Sequence, residues 1–214
     1  MKIINFNVKE FESLKDSIWM LGNNILYKLC SDFPKHTNPE EICAKIWLIG
    51  RAYAASIERR KNKKEINDKF YANFIEAFIK FNNTEEFDKQ LNSLKNKEFD
   101  EKTLKKILEL HFKLTEFFNN QTKLKKRSLA SKYLHFHIPI FPIYDSRANN
   151  SLRFIVKGKP SESLGDKEYS IFCNKILFLY KYIKNQTGKP PTLREIDTFL
   201  VKVKNNKLSK KIGE

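Results

Sequence analysis

The stretch from Lys125 to Ala148 reads KKRSLASKYLHFHIPIFPIYDSRA. It sets Lys125, Lys126, Arg127, Lys132 and Arg147 around one carboxylate, Asp145. Asp145 is the only acid between Gln121 and Pro160, a span that holds nine Lys or Arg residues. Such surroundings favour the ionised carboxylate. Two uses suit it: chemistry on a substrate held by the neighbouring cations, or capping of a helix, because IYDSRANNSL looks like a helix start and Asp is a favoured cap.

Other reactive side chains in the chain point elsewhere. His135 and His137 are two apart and face different sides of a helix, which makes them poor partners for one metal ion. Each is read as a packed or hydrogen-bonding side chain, although one could line a pocket. Cys30, Cys43 and Cys173 are odd in number and widely spaced, unlike a disulfide framework, a zinc site or a cluster site. They are read as reduced core thiols of an intracellular, cytoplasmic protein, and neither a metal nor another cofactor is expected. The chain carries no glycine-rich nucleotide loop, no HExxH and no Ser, His and acid arrangement of familiar spacing.

Charge says more about partners. With 41 Lys and Arg against 25 Asp and Glu, the formal net charge is +16, a field that attracts polyanions. Nucleic acid is the partner expected, although an anionic membrane surface or an acidic protein would respond to the same field, and a compositional bias toward lysine would produce it without any partner. No uncharged run reaches the length of a membrane span.

These residues must be positioned by helices. Gly and Pro are few, 6 and 7, while Lys, Glu and Leu are abundant, so an all-α fold is expected. Phe11, Leu14, Ile18, Leu21, Ile25 and Leu29 return at helical spacing over 8–31. After a loop, Asn38 and Pro39 suit the start of a second helix, EEICAKIWLIGRAYAASIERRKN. Arg51, Arg59 and Arg60 stand out in it, Arg51 because its stretch is otherwise apolar. Amphipathic segments follow over 66–81, 87–94 and 99–118. The next helix begins at about Ser128 and stops before Pro139. SLRFIVKGKPSESLGDKE reads as a turn-rich connector and YSIFCNKILFLYKYIKNQTG as a central apolar helix. Thr192 and Glu195 have capping-box spacing for a last helix, with a frayed tail from Asn206. One helical domain over 1–214, or two helical lobes, accommodates all of this.

The segment from Arg127 to Asp145 resembles the core of the helix-hairpin-helix DNA glycosylases, above all the adenine-excising branch. In those proteins a Gly-x-Gly hairpin turn leads to an Arg-Ser or Thr-Lys pair at a helix start. An alanine follows two residues later, and an apolar stretch ends in Phe-Pro-Ile/Val-x-Asp. Arg127, Ser128 and Ala130 match the first part, and Phe141, Pro142, Ile143, Tyr144 and Asp145 the second. The spacing from Ser128 to Asp145 differs from the family pattern by about one residue. KLKK replaces the glycine turn, and Arg147 stands where many members carry histidine. The iron–sulfur cluster usual in the adenine branch has no matching cysteines here. The likeness covers residues 119–148.

The resemblance implies an all-helical fold, double-stranded DNA as partner and hydrolysis of an N-glycosidic bond. Asp145 would stabilise the oxocarbenium-like transition state or orient water. Ser128 occupies the position of the bifunctional members' lysine, which implies a monofunctional enzyme. Lys132, one turn on and on roughly the same face, is a second candidate catalytic residue, a nucleophilic amine if the register or hairpin geometry has changed and otherwise a phosphate-binding or solvated lysine. Lys123, Lys125, Lys126, Arg127, Ser128 and Arg147 are the candidate DNA contacts, and Trp47, Arg51, Tyr53, His135 and Tyr144 the candidate pocket residues. A non-catalytic DNA- or RNA-binding protein and a helical protein-interaction module are the other readings. No obligate protein partner and no membrane association are expected.

Overall fold

The structure is a computed structural model that describes the backbone of residues 1–14, 18–160 and 163–212. Its fold is all-α. The helices are α1 (Val8–Glu12), α2 (Ile18–Asp32), α3 (Pro39–Ala52), α4 (Asp68–Phe81), α5 (Glu86–Asn92), α6 (Glu101–Thr122), α7 (Arg127–His137), α8 (Ser146–Ile155), α9 (Lys167–Thr187) and α10 (Leu193–Ile212). Among the described residues one small sheet accompanies them. It pairs β1 (Lys2–Ile3) with β2 (Val156–Lys157) antiparallel, Ile3 opposite Val156. No helix of the described residues is long and apolar enough to cross a membrane.

The chain divides into two compact units: Met1–Asp16, Lys97–Glu109 and Pro139–Glu214 form the first, and Ser17–Asn96 with Leu110–Ile138 the second. In the first, α9 buries Tyr169, Phe172, Cys173, Ile176 and Leu179, the central role expected of it. Phe199 of α10 meets Phe6 and Phe11 edge-on at ring distances of 5.1 and 5.7 Å. In the second, α4, α5 and α6 supply Phe74, Phe78, Phe87, Phe117 and Phe118 to an aromatic core. Full burial of each such ring stabilises by roughly 1.5–3 kcal/mol.

Local signals account for most helix starts. Asn38, Asn67, Asp145 and Asp166 each accept a backbone N–H from the first turn of α3, α4, α8 and α9. Thr192 and Glu195 form the reciprocal capping box of α10.

Several boundaries differ from expectation. The stripe over 8–31 is shared by two helices, because α1 stops at Ser13, whose hydroxyl donates to the Glu10 carbonyl; continuity across 15–17 lies outside the described residues. The connector's first residues extend α8 to Ile155, and Val156 then pairs with β1. The backbone of α10 stays helical to Ile212, where a frayed tail is expected from the sequence.

The largest difference is at α3, which ends at Ala52 where the spacing predicts helix to Asn62. Ala54 takes a left-handed φ of 48°, Ala55 donates its N–H to the Gly50 carbonyl at 2.7 Å, and the chain folds back over the helix. Gly50 permits this fold-back, since a Cβ there would sit 2.9 Å from the Ser56 Cα. Residues 53–62 therefore form a loop, and Arg59 and Arg60 ride on it.

Candidate nucleic-acid interface

The turn between α6 and α7 is built by its own residues. Thr122 donates its hydroxyl to the Phe118 carbonyl at 2.8 Å and accepts the Leu124 N–H at 3.2 Å, which closes α6. Lys123 then adopts φ 59°, the left-handed conformation that commonly ends a helix. Lys126 occupies the cap position of α7 and gives no side-chain hydrogen bond to the first turn. The buried His111 of α6 donates from Nε2 to the Arg127 carbonyl at 3.2 Å and ties the two helices together. The result is a helix, a turn over residues 123–126 and a second helix, built without glycine.

Lys123 and Lys125 are exposed on this turn, while Arg127 and Ser128 are half-buried. Lys126 is buried, and its ammonium donates to the Arg59 carbonyl at 2.5 Å. Unlike Lys123 and Lys125, its side chain is turned into the protein, whereas the sequence alone places it among the DNA contacts. Burial pushes that ammonium down to about 8; Glu58 opposes the shift, and Lys61, Arg60 and Arg59 add to it. Lys61 makes a long contact of 3.5 Å with the Thr122 carbonyl. The fold-back after α3 thus brings Arg59, Arg60 and Lys61 to the hairpin turn.

Beyond its start, α7 presents two different polar faces. On one, Tyr133 donates to His36 Nε2 at 2.7 Å, and His36 Nδ1 donates to Asp88 at 2.5 Å. This tautomer is the one in which both bonds form. Asp88 also accepts the His36 backbone N–H at 3.0 Å and the Asn82 amide at 2.8 Å. Burial pushes the His36 imidazole down to about 4 against the pull of Asp88, so it is neutral at pH 7. Burial alone would raise the Asp88 carboxyl, but the bonds from His36 and Asn82 outweigh it and hold it low. The His137 ring lies 4.8 Å from that of His36.

On the other face, Lys132 is buried, donates to Ser128 Oγ at 2.7 Å and lies 5.6 Å from the centre of the Tyr53 ring. His135 shares a hydrogen bond of 2.5 Å with the Tyr27 hydroxyl, and the Tyr53 hydroxyl donates to Asn23. Phe136 packs on both tyrosines, at 4.8 and 5.5 Å. Tyr27 and Tyr53 are half-buried, so solvent reaches this face, whereas Tyr133, His36, Asp88 and Asn82 of the first are all buried.

Four of the expected residues, Ser128, Lys132, Tyr53 and His135, therefore share one side of α7. Trp47 and Arg51 belong to another group: Arg51 lies 5.0 Å over the Trp47 ring and makes a 3.4 Å contact with Glu58. Asp145, Arg147 and Tyr144 lie in the first unit. Asp145 is half-buried and accepts the Arg147 N–H at 2.8 Å as cap of α8, and Arg147 is exposed. Tyr144 is buried, donates to Glu168 and accepts from Asn149.

No family model, curated protein or solved structure matches the chain.

Sequence reasoning missed His36, Asp88, Asn82, Tyr27 and Asn23. His36 and Asp88 are 52 positions apart and His36 and Tyr133 are 97 apart, and no local spacing links them. One signal was present: Asp88 stands beside Phe87 and three residues before Leu91, on the buried stripe of α5. The three cysteines are unpaired; burial pushes the Cys30 thiol up to about 12. Among the described residues no three His, Cys, Asp or Glu side chains are grouped as a metal site requires.

Proposed function

We propose that the protein binds double-stranded DNA through the α6–α7 hairpin and hydrolyses an N-glycosidic bond with Asp145 as the catalytic carboxylate. The observation that carries the reading is the hairpin itself, a short turn with exposed Lys123 and Lys125 leading into a helix whose cap position supplies no side-chain acceptor. The first N–H groups of such a helix and the cations before it suit a phosphate oxygen. The Arg127 to Asp145 resemblance supplies the chemistry.

In that chemistry water adds to C1′ as the bond from C1′ to the base nitrogen breaks. The base leaves with a proton and the sugar keeps the hydroxyl. Positive charge develops on the sugar ring, and an ionised carboxylate lowers the energy of that state. Asp145 accepts one backbone N–H as the cap of α8. Ser128 stands where the bifunctional members carry lysine, and Lys132 is enclosed with its ammonium donating to Ser128; both support a monofunctional reaction, without attack by an amine.

The test is incubation with duplexes carrying damaged, mismatched and hypermodified bases, scored for abasic sites with and without alkali. Strand breaks are expected only after alkali. Breaks without alkali that disappear in Lys132→Gln would overturn the monofunctional assignment.

A further inference from the structure

We propose that Arg59 and Arg60 are a second phosphate-contacting element of the DNA interface, and that Lys126 is the positioning residue that fixes their loop against the hairpin turn. This rests on the DNA-binding reading and extends it to a segment 67 positions before Lys126 in the chain.

Three observations carry it. The loop is held in place: α3 stops where Gly50 lets Ser56 approach, and the Lys126 ammonium donates to the Arg59 carbonyl at 2.5 Å. The loop is also strained, because Arg60 has a left-handed φ of 68° without being glycine. Finally, both arginines are exposed, and among the described residues no carboxylate pairs with either guanidinium. Arg51, by contrast, is engaged by Trp47 and Glu58.

Arg59 and Arg60 repel the Lys126 ammonium, which Glu58 attracts, and Lys61 is paired with Glu65 at 3.2 Å. The two arginines are thus the cations here that no carboxylate of the described residues pairs, and their mutual repulsion raises the energy of the free protein. A polyanion relieves that repulsion, and a nucleic-acid backbone presents phosphates at regular spacing. Guanidinium groups suit phosphate because their planar fork donates two parallel hydrogen bonds. Lys126 acts through the loop's backbone: its ammonium is turned inward and does not face the ligand.

The experiment is fluorescence anisotropy of a labelled duplex of about 20 base pairs titrated with the full chain over a range of KCl concentrations. Each lost phosphate contact lowers the slope of log affinity against log salt by about 0.9. The Arg59→Ala/Arg60→Ala pair is expected to lower the slope by about 1 to 2. Lys126→Met is expected to lower it similarly, with Lys126→Arg restoring it. An arginine pair with the wild-type slope, beside a Lys123→Ala/Lys125→Ala pair with a lowered one, overturns the inference and leaves the hairpin reading standing. A wild-type chain that does not bind the duplex removes both. A Lys126→Met chain that melts earlier but keeps the full slope overturns the positioning role and makes Lys126 a stability residue alone.

Discussion

The two faces of α7 each place a histidine against a tyrosine, and they differ in what surrounds the pair. His36, Tyr133, Asp88 and Asn82 are sealed from water and bonded to one another. On the opposite side His135 and Lys132 are equally buried, but the tyrosines beside them, Tyr27 and Tyr53, are half open. A sealed, fully bonded network specifies the fold, because each member left without its partner bears the full cost of desolvation. A half-open one exchanges bonds with water at less cost.

The sharpest way to break this contrast is Asp88→Ala, which strips an acceptor from the His36 ring, the His36 backbone and Asn82. Each buried donor left without its acceptor costs about 1–3 kcal/mol, so a loss of about 3 kcal/mol or more is expected in urea denaturation; a loss below about 1 kcal/mol would remove the distinction. Acidification acts on the same network. His36 has a pKa of about 4 in the fold against an ordinary 6.5, so the unfolded chain binds its proton first. Stability is fully present above pH 6.5 and falls between pH 6.5 and 4, by about 3 kcal/mol for this group. His137, pushed down by burial, acts in the same direction. A flat profile of unfolding free energy over that window would contradict the sealed reading.

Smaller effects sharpen the contrast. Gly50→Ala introduces a Cβ 2.9 Å from the Ser56 backbone and should cost about 1–3 kcal/mol, with a parallel loss of duplex affinity through the displaced loop. Tyr133→Phe leaves His36 Nε2 without its donor and should cost about 1–3 kcal/mol. The matching change on the open face, Tyr27→Phe, should cost about 1 kcal/mol or less, since water reaches that side. Equal losses from the two tyrosines would mean that the faces do not differ.

What the sequence makes legible depends on how far apart the partners are. The end of α7 before Pro139, the Asp145 cap and the Thr192–Glu195 box are set by neighbours within a few positions, and all three can be read in advance. The end of α3 cannot, because AYAAS has good helical residues and the stop depends on packing over Gly50. The inward turn of Lys126 is equally hidden: in sequence it is one more lysine of a basic run, and its partner, the Arg59 carbonyl, is 67 positions away. Asp145 is legible both as a motif residue and as a cap, whereas its chemistry depends on a bound sugar that no spacing in the chain supplies.

The most direct measurement is therefore single-turnover release of a base by the wild-type chain and by Asp145→Asn, on the best duplex of the panel, with duplex affinity measured beside it. Abasic-site formation is expected to slow by about 10²-fold or more while affinity stays within about twofold. An unchanged rate in Asp145→Asn would contradict a catalytic Asp145.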